Sequence, residues 1–255
     1  MSEKKTRRQA RILDALGAKP TIRVNVLADD LGVSAETVRR DLAELDKTGL
    51  IQRTYGGAVK ASLFEPALAE RLKIKVKERE RIANHAIILL ENADCIFVGG
   101  GATTLHFARA LRSIERRITV LTASFSVAIE LSTNPLIKVM SLPGIVEPKE
   151  GLMCGADTLR FISQYRPRIA VMGASAIDAA GVSEAMLNAA QVYKAMIENS
   201  ERAIIMADSS KFGLRALQIV AEWGPNKILI TDQHPDKELH TAIETSGCDI
   251  QVVLV

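Results

Sequence analysis

No stretch of 18 apolar residues occurs anywhere in the 255-residue chain, and its first residues are polar and basic where a secretory leader would carry an apolar core. Both absences argue against a membrane span and a signal peptide, so a cytoplasmic protein with no membrane partner is expected. Cysteine is scarce. Cys95, Cys154 and Cys248 are odd in number, far apart and set among apolar or small residues, which suits reduced packing thiols and not a disulfide frame or a zinc site. The four histidines, His85, His106, His234 and His240, show no metal-ligand spacing, and no metal or cofactor is expected. Basic charge is unevenly shared. Residues 1–60 hold 12 Lys and Arg against 8 Asp and Glu, while the remaining 195 hold 21 against 22. The excess includes Lys4, Lys5, Arg7, Arg8 and Arg11, a cluster that attracts a phosphate backbone.

Beside that cluster, residues 26–57 read VLADDLGVSAETVRRDLAELDKTGLIQRTYGG. Val24, Leu27 and Leu31 recur at helical spacing, and Gly32 breaks the pattern. Ser34 can cap a second helix, whose Val38, Leu42 and Leu45 share an inward arc. Glu36, Thr37, Arg39, Arg40 and Glu44 then face outward. After Gly49, LIQRTYGGAV alternates apolar and polar residues up to a Gly-Gly turn, as a β-wing does. This is a helix, a tight turn, a second helix and a wing. In a helix-turn-helix the second helix presents its N-terminal half to base edges, where arginine donates two hydrogen bonds to guanine. The expected DNA-binding residues are Ser34, Glu36, Thr37, Arg39 and Arg40 on that helix, Arg53 and Tyr55 on the wing, and Arg7 and Arg8 in the basic start, with double-stranded operator DNA as the partner.

From about Lys60 to Arg81 a Pro-containing connector passes into alternating lysines and acids, with Leu72, Ile74 and Val76 between them. Either a short strand or the opening of a helix through Ile82, Ala86 and Leu89 fits that pattern. The expected division is a DNA-binding domain over 1–60, a linker over 61–81 and an α/β domain over 82–255. Beyond residue 93 the runs CIFV, ITVLT, IKVMSL, RIAVMG, RAIIMA, KILIT and IQVVLV alternate with helical patterns. Such a rhythm implies a mostly parallel sheet covered by helices. Several runs end in small or polar residues: Gly99-Gly-Gly-Ala-Thr-Thr, Thr122-Ala-Ser, Gly173-Ala-Ser and Ala207-Asp-Ser-Ser-Lys. In parallel sheets ligands bind at the carboxyl ends of strands, where these loops would gather.

The GGGATT turn offers bare backbone N–H groups, two threonine hydroxyls and the positive end of a helix, which together suit a phosphate. It is not a P-loop, because no lysine follows its last glycine, and Thr104 stands where a dinucleotide fingerprint needs glycine. Lys211 follows another strand end and can bring a point charge to the same anion. Asp178, Glu184, Asn188, Gln191 and Lys194 cluster around a loop and a helix; the last three cover one side of that helix, as ligands for sugar hydroxyls or as a solvated face.

With these residues in view, the chain resembles the DeoR family of transcriptional regulators, of the GlpR/LacR type, over nearly its whole length. The resemblance is carried by RRQARILDAL, VSAETVRRDLAELDKTGLIQRTYGGAV, the ATTL turn, LTAS, GASAID, YKAMIENS, ADSSKFG and ITD. It implies a winged helix-turn-helix joined to a sensor related in fold to ribose-5-phosphate isomerase and glucosamine-6-phosphate deaminase. Sensors of this kind bind phosphorylated sugars or polyols. By the resemblance Gly100, Gly101, Ala102, Thr103 and Thr104 hold phosphate with Lys211 as a further anchor, while Ser124, Glu184 and Lys194 face the sugar. The chain departs from the family pattern where Gly99-Gly-Gly-Ala-Thr replaces Asp-Ser-Gly-Thr-Thr, so an acid is missing. Ala123 stands for the usual Asn, and Pro143-Gly144 for a Gly-Gly pair. The implied function is a repressor of a carbohydrate-catabolism operon, released from its operator by a phosphorylated sugar or polyol, and working as a homo-oligomer, dimer or tetramer. The alternative is a sugar-phosphate isomerase or deaminase fused to a DNA-binding domain, with Glu184 or Asp178 as base and Lys194 or Lys211 as its electrostatic partner.

Overall fold

The computed structural model describes residues 3–18, 21–47, 51–54, 56–60, 67–91 and 93–254. Two compact units divide the chain, Met1–Glu65 and Pro66–Val255. In the first, α1 (Glu3–Ala18), β1 (Thr21–Arg23), α2 (Val24–Leu31) and α3 (Ala35–Lys47) precede the hairpin β2 (Ile51–Thr54) and β3 (Gly57–Lys60). The strands form an antiparallel sheet in the order β1-β3-β2. Its core gathers Ile12 and Leu16 from α1, Val24 and Leu27 from α2, Val38, Leu42 and Leu45 from α3, and Ile22, Ile51 and Ala58 from the strands. The helical spacing seen in the sequence is therefore the spacing of buried positions. Gly32 ends α2 in the left-handed region, at φ 63°, where a side chain would be strained. Gly57 faces the Ile22 carbonyl so closely that a Cβ would come within 2.1 Å of it, which ties the wing's second glycine to β1.

The second unit begins earlier than residue 82, the expected start of the α/β domain. Leu68–Arg71 form α4 and Val76–Ile88 form α5, with Leu68, Arg71, Arg79 and Ile82 buried. The charged segment belongs to the unit because two of its arginines meet buried carboxylates, Arg71 with Glu150 and Arg79 with Asp208. The unit continues as β4 (Cys95–Val98), α6 (Ala102–Leu111), β5 (Ile118–Thr122), α7 (Phe125–Leu131) and β6 (Ile137–Ser141). Then come the hairpin β7 (Ile145–Glu147) and β8 (Leu152–Cys154), α8 (Ala156–Ile162), β9 (Ile169–Met172), β10 (Ala176–Asp178) and β11 (Gly181–Glu184). The last elements are α9 (Leu187–Glu198), β12 (Arg202–Met206), β13 (Gln218–Ala221), β14 (Lys227–Thr231), α10 (Lys237–Thr245) and β15 (Asp249–Val252).

All seven runs read from the sequence are strands of one sheet, ordered β15-β14-β12-β9-β4-β5-β6, and every neighbouring pair is parallel. Successive side chains point to opposite faces, so strands covered on both faces must be apolar throughout. Phe97, Leu121, Ala170, Met172, Ile205 and Leu229 enter one core, shared with α9 and α10. Ile96, Val98, Val120, Val171, Ile204 and Ile230 enter the other, shared with α5, α6 and α7. Two smaller antiparallel pieces, β7-β8 and β10-β11-β13, go beyond the sequence reading. All three cysteines are free, and burial pushes the thiols of Cys154 and Cys248 up to about 11.

Candidate functional site

On the first unit, α3 presents its polar side to solvent. The Ser34 hydroxyl accepts the Thr37 backbone N–H at 3.2 Å and lies 2.9 Å from the Thr37 hydroxyl, so both residues set the start of the helix. One turn on, Arg39 and Arg40 are exposed and share Glu36, whose two carboxylate oxygens lie 3.6 and 3.7 Å from their guanidinium nitrogens. Pairs this long and this exposed are weak, and either arginine can exchange Glu36 for a base edge. The Arg53 side chain is exposed on β2, while its backbone N–H donates to Asp46 at 3.1 Å and stitches the wing to α3. Arg7 is exposed. Tyr55 lies outside the described residues.

Arg8 is placed differently from Arg7. Its guanidinium grips the buried carboxylate of Asp41 through both Nε and Nη2, the second bond measuring 3.0 Å, and the contact holds its proton more firmly than usual. A guanidinium that gives its Nε–Nη2 edge to a buried carboxylate of the same fold ties α1 to α3. Lys5 and Gln9 likewise bond Glu44.

On the second unit, chain order reverses between β4 and β9. The sequence runs β4, β5, β6 to one edge and β9, β12, β14, β15 to the other, and such a switch point opens a crevice at the carboxyl ends of the strands. Gly99–Gly101 leave β4 there, and Gly173 leaves β9 beside them, with its side-chain direction 4.0 Å from the Gly100 carbonyl. Gly101 has φ 109°, a conformation suited to glycine, and turns the chain into α6. At Gly100 a Cβ would stand 3.0 Å from Leu152 Cδ1, 3.1 Å from the Tyr193 hydroxyl and 3.5 Å from Ser124 Cβ. Ala102, Thr103 and Thr104 form the first turn of α6 and are buried. Thr104 donates its hydroxyl proton to the Gly101 carbonyl at 2.9 Å, which braces the turn.

Ser124 sits at the end of β5 and caps α7, accepting from the Val127 N–H at 3.4 Å. Glu184 is buried at the end of β11. It accepts from the Ser175 hydroxyl at 2.8 Å and from the backbone N–H groups of Ala185 at 2.8 Å and Met186 at 3.1 Å. Lys211 ends a 3-10 turn, Ser209–Lys211, that follows β12. Burial would raise the carboxyl of Asp208 just before it, yet the charges of Arg79 and Lys211 and the bonds from Ser210 and Arg79 hold it below the usual range.

Lys194 faces solvent. Its side chain is 48% exposed and lies 3.8 Å from Glu198 one turn along α9; Asn188 and Gln191 on the same side are also exposed. That side is solvated, while the adjacent Tyr193 points inward against Gly99 and Gly100. Asp178 is spent on a turn, bonding Arg215 and the Ala180 N–H.

Sequence reasoning missed Arg71. Its Nη1 is the nearest atom to the side-chain direction of Gly101, at 3.7 Å, so a buried cation overlies the glycine turn. No local pattern announces it, because its carboxylate partner Glu150 is 79 residues away. A cavity of about 650 Å³ lined by Arg117, Lys138 and Leu136 lies instead at the amino ends of β5 and β6, away from the strand ends that carry this chemistry.

The profile of the DeoR-like helix-turn-helix domain matches residues 8–63, and that of the DeoR C terminal sensor domain matches residues 74–233. The chain belongs to the DeoR family. It is 33% identical over 249 residues to the uncharacterized HTH-type transcriptional regulator YulB of Bacillus subtilis (strain 168), covering 96% of each chain. It is 29% identical over 234 residues to the glycerol-3-phosphate regulon repressor of Escherichia coli (strain K12), covering 91% of this chain and 92% of the relative. A solved ribose 5-phosphate isomerase A from Methanocaldococcus jannaschii aligns with 54% of this chain and 55% of its own at 17% identity, with a TM-score of 0.42, too low to carry an argument. DeoR-family relatives are named as transcriptional regulators, not as enzymes, and the isomerase or deaminase reading falls away. Among the described residues no helix is long and apolar enough to cross a membrane.

Proposed function

We propose that this DeoR-family chain is a cytoplasmic repressor of a carbohydrate-catabolism operon, which leaves its operator when a phosphorylated sugar or polyol fills the sensor. The observation that carries the reading is the buried Arg71 guanidinium over the Gly99–Gly101 turn at the strand-order switch. The Gly99 N–H is given to the Val171 carbonyl at 2.9 Å; a cation, the backbone N–H groups that follow it and a helix start converge there, and that donor set recognises phosphate. The relative named glycerol-3-phosphate regulon repressor supports a phosphorylated ligand of this class. Gly100, Gly101, Ala102, Thr103 and Thr104 surround the phosphate, Lys211 adds charge, and Ser124 and Glu184 face the rest of the effector.

Arg39 and Arg40 read base edges, Ser34, Glu36 and Thr37 set the helix that carries them, and Arg7, Arg53 and Tyr55 meet the backbone. One such reader covers few base pairs, so the protein works as a dimer or tetramer on paired half-sites. Selection of bound fragments from random double-stranded DNA tests the DNA half: a two-fold-related site is expected, and enrichment without any sequence would refute it. A thermal-shift screen tests the sensor half, since a ligand at about 100 times its dissociation constant stabilises by about 2.7 kcal/mol. Phosphorylated compounds should raise the transition and their unphosphorylated parents should not.

A further inference from the structure

We propose that Glu150 is a built-in occupant of the phosphate site: its carboxylate holds Arg71 over the glycine turn, and an incoming phosphate displaces it. This inference rests on the reading that phosphate binds at Gly100–Thr104. Arg71 ends α4 and is almost fully buried, as is Glu150, and Arg71 Nη2 pairs with Glu150 Oε2. The backbone of the arginine is fixed from behind. Its carbonyl accepts from Arg79 Nη1, and Arg79 Nε in turn donates to Asp208 at 3.1 Å. The end of α4 that carries the cation is thus anchored apart from Glu150, and the proposed displacement is a movement of the carboxylate.

A buried cation needs an anion, and Glu150 supplies one. A phosphate dianion brings more charge and more acceptor oxygens to the same guanidinium, and it can accept from the N–H groups of the turn as well. Two buried carboxylate and phosphate anions cannot share the place, because like charges at short range in a low dielectric repel strongly. Glu150 therefore leaves as phosphate enters.

The carboxylate sits between β7 and β8, so its departure bears on that hairpin. β8 is stitched to the loop after β5: the Met153 N–H donates to the Ala123 carbonyl at 2.7 Å, and the Phe125 N–H donates to the Gly151 carbonyl at 3.0 Å. Leu152 of the same strand covers Gly100. The other arm, β7, carries Ile145 and Val146 in solvent. Loss of the Arg71 tie changes how this exposed arm is held, which connects an occupied site to the surface of the sensor.

The test is calorimetric titration of the full-length protein with inorganic phosphate, at constant ionic strength set by potassium chloride. Glu150→Gln removes the competing charge and should tighten phosphate binding roughly tenfold or more, whereas Arg71→Met should abolish it and Thr103→Val should weaken it. Glu150→Asp, which keeps the charge on a shorter arm, should fall between wild type and Glu150→Gln; it decides the matter if Glu150→Gln does not fold even in phosphate. Phosphate affinity unchanged or weaker in the Glu150 variants, with Thr103→Val still weakened, would overturn self-occupancy and leave the loop reading standing. Phosphate binding indifferent to Thr103→Val and to Arg71→Met would overturn the loop reading itself. Absence of phosphate binding in every variant would overturn both.

Discussion

Arg8 of α1 reaches the buried Asp41 of α3 with two bonds, so a residue that looks like part of a DNA-binding cluster is a strut of the reader domain. Arg8→Ala should destabilise that domain by roughly 2–3 kcal/mol, less than the 3–5 of a fully buried pair, because the Arg8 side chain stays 21% exposed. Arg7→Ala, on the exposed side, should leave stability unchanged and weaken binding to all DNA alike. Urea unfolding of each variant, followed with binding to specific and random duplexes, separates the two roles. Equal stability of both variants would remove the strut assignment.

Arg40 projects from α3 with 79% of its side chain exposed. Its replacement by alanine should cost roughly 1–3 kcal/mol on operator DNA and flatten preference at one base pair. The preference is read by competition among single-base variants of a selected site. Equal loss on specific and random DNA would show a phosphate contact instead.

Thr103→Val and Lys211→Ala should leave DNA affinity intact and raise the effector concentration needed for release about tenfold, since a charge-assisted bond is worth about 1.5–3 kcal/mol. Lys194→Ala should change neither, because its ammonium lies by Glu198 on the solvated side of α9. Effector titrations of preformed protein–DNA complexes read all three. A Lys194 variant that lost its response would restore that residue to the site.

His106 is buried in α6, and its Nε2 has no hydrogen-bond partner among the described residues. Burial first, and then the nearby Arg109 and Arg79, push its pKa below the ordinary 6.5. The unfolded chain takes up a proton that the folded sensor refuses, so stability is full above about 6.5 and falls as the pH drops below it, by at most about 1.4 kcal/mol per pH unit. His106→Leu should flatten that part of the slope in denaturant unfolding at pH 7.5, 6.5 and 5.5. An unchanged slope would assign the acid sensitivity to other groups.

The parallel sheet was legible because its inner strands are apolar runs covered on two faces, and the carboxyl-end loops follow from parallelism alone. The hairpin β7-β8 was not, since Ile145–Glu147 is three residues long and mostly exposed, too short for a period to register. The surroundings of Arg8 and Lys194 were not legible for one reason: a cation in a polar pattern reads the same whether it faces a ligand, water or a distant carboxylate. Arg71 stayed hidden because its meaning comes from Gly101 and Glu150, far along the chain. The helix-turn-helix was legible in detail because its turn, cap and inward arc are all local.

The most direct test follows fluorescence anisotropy of a labelled operator, chosen by selection, bound to the full-length protein while sugars and polyols are added with and without a phosphate. Release by a phosphorylated compound, with no release by its unphosphorylated parent at the same concentration, is the expected result. Release by the parent alone, or a protein that binds every duplex equally and ignores both, would contradict the account.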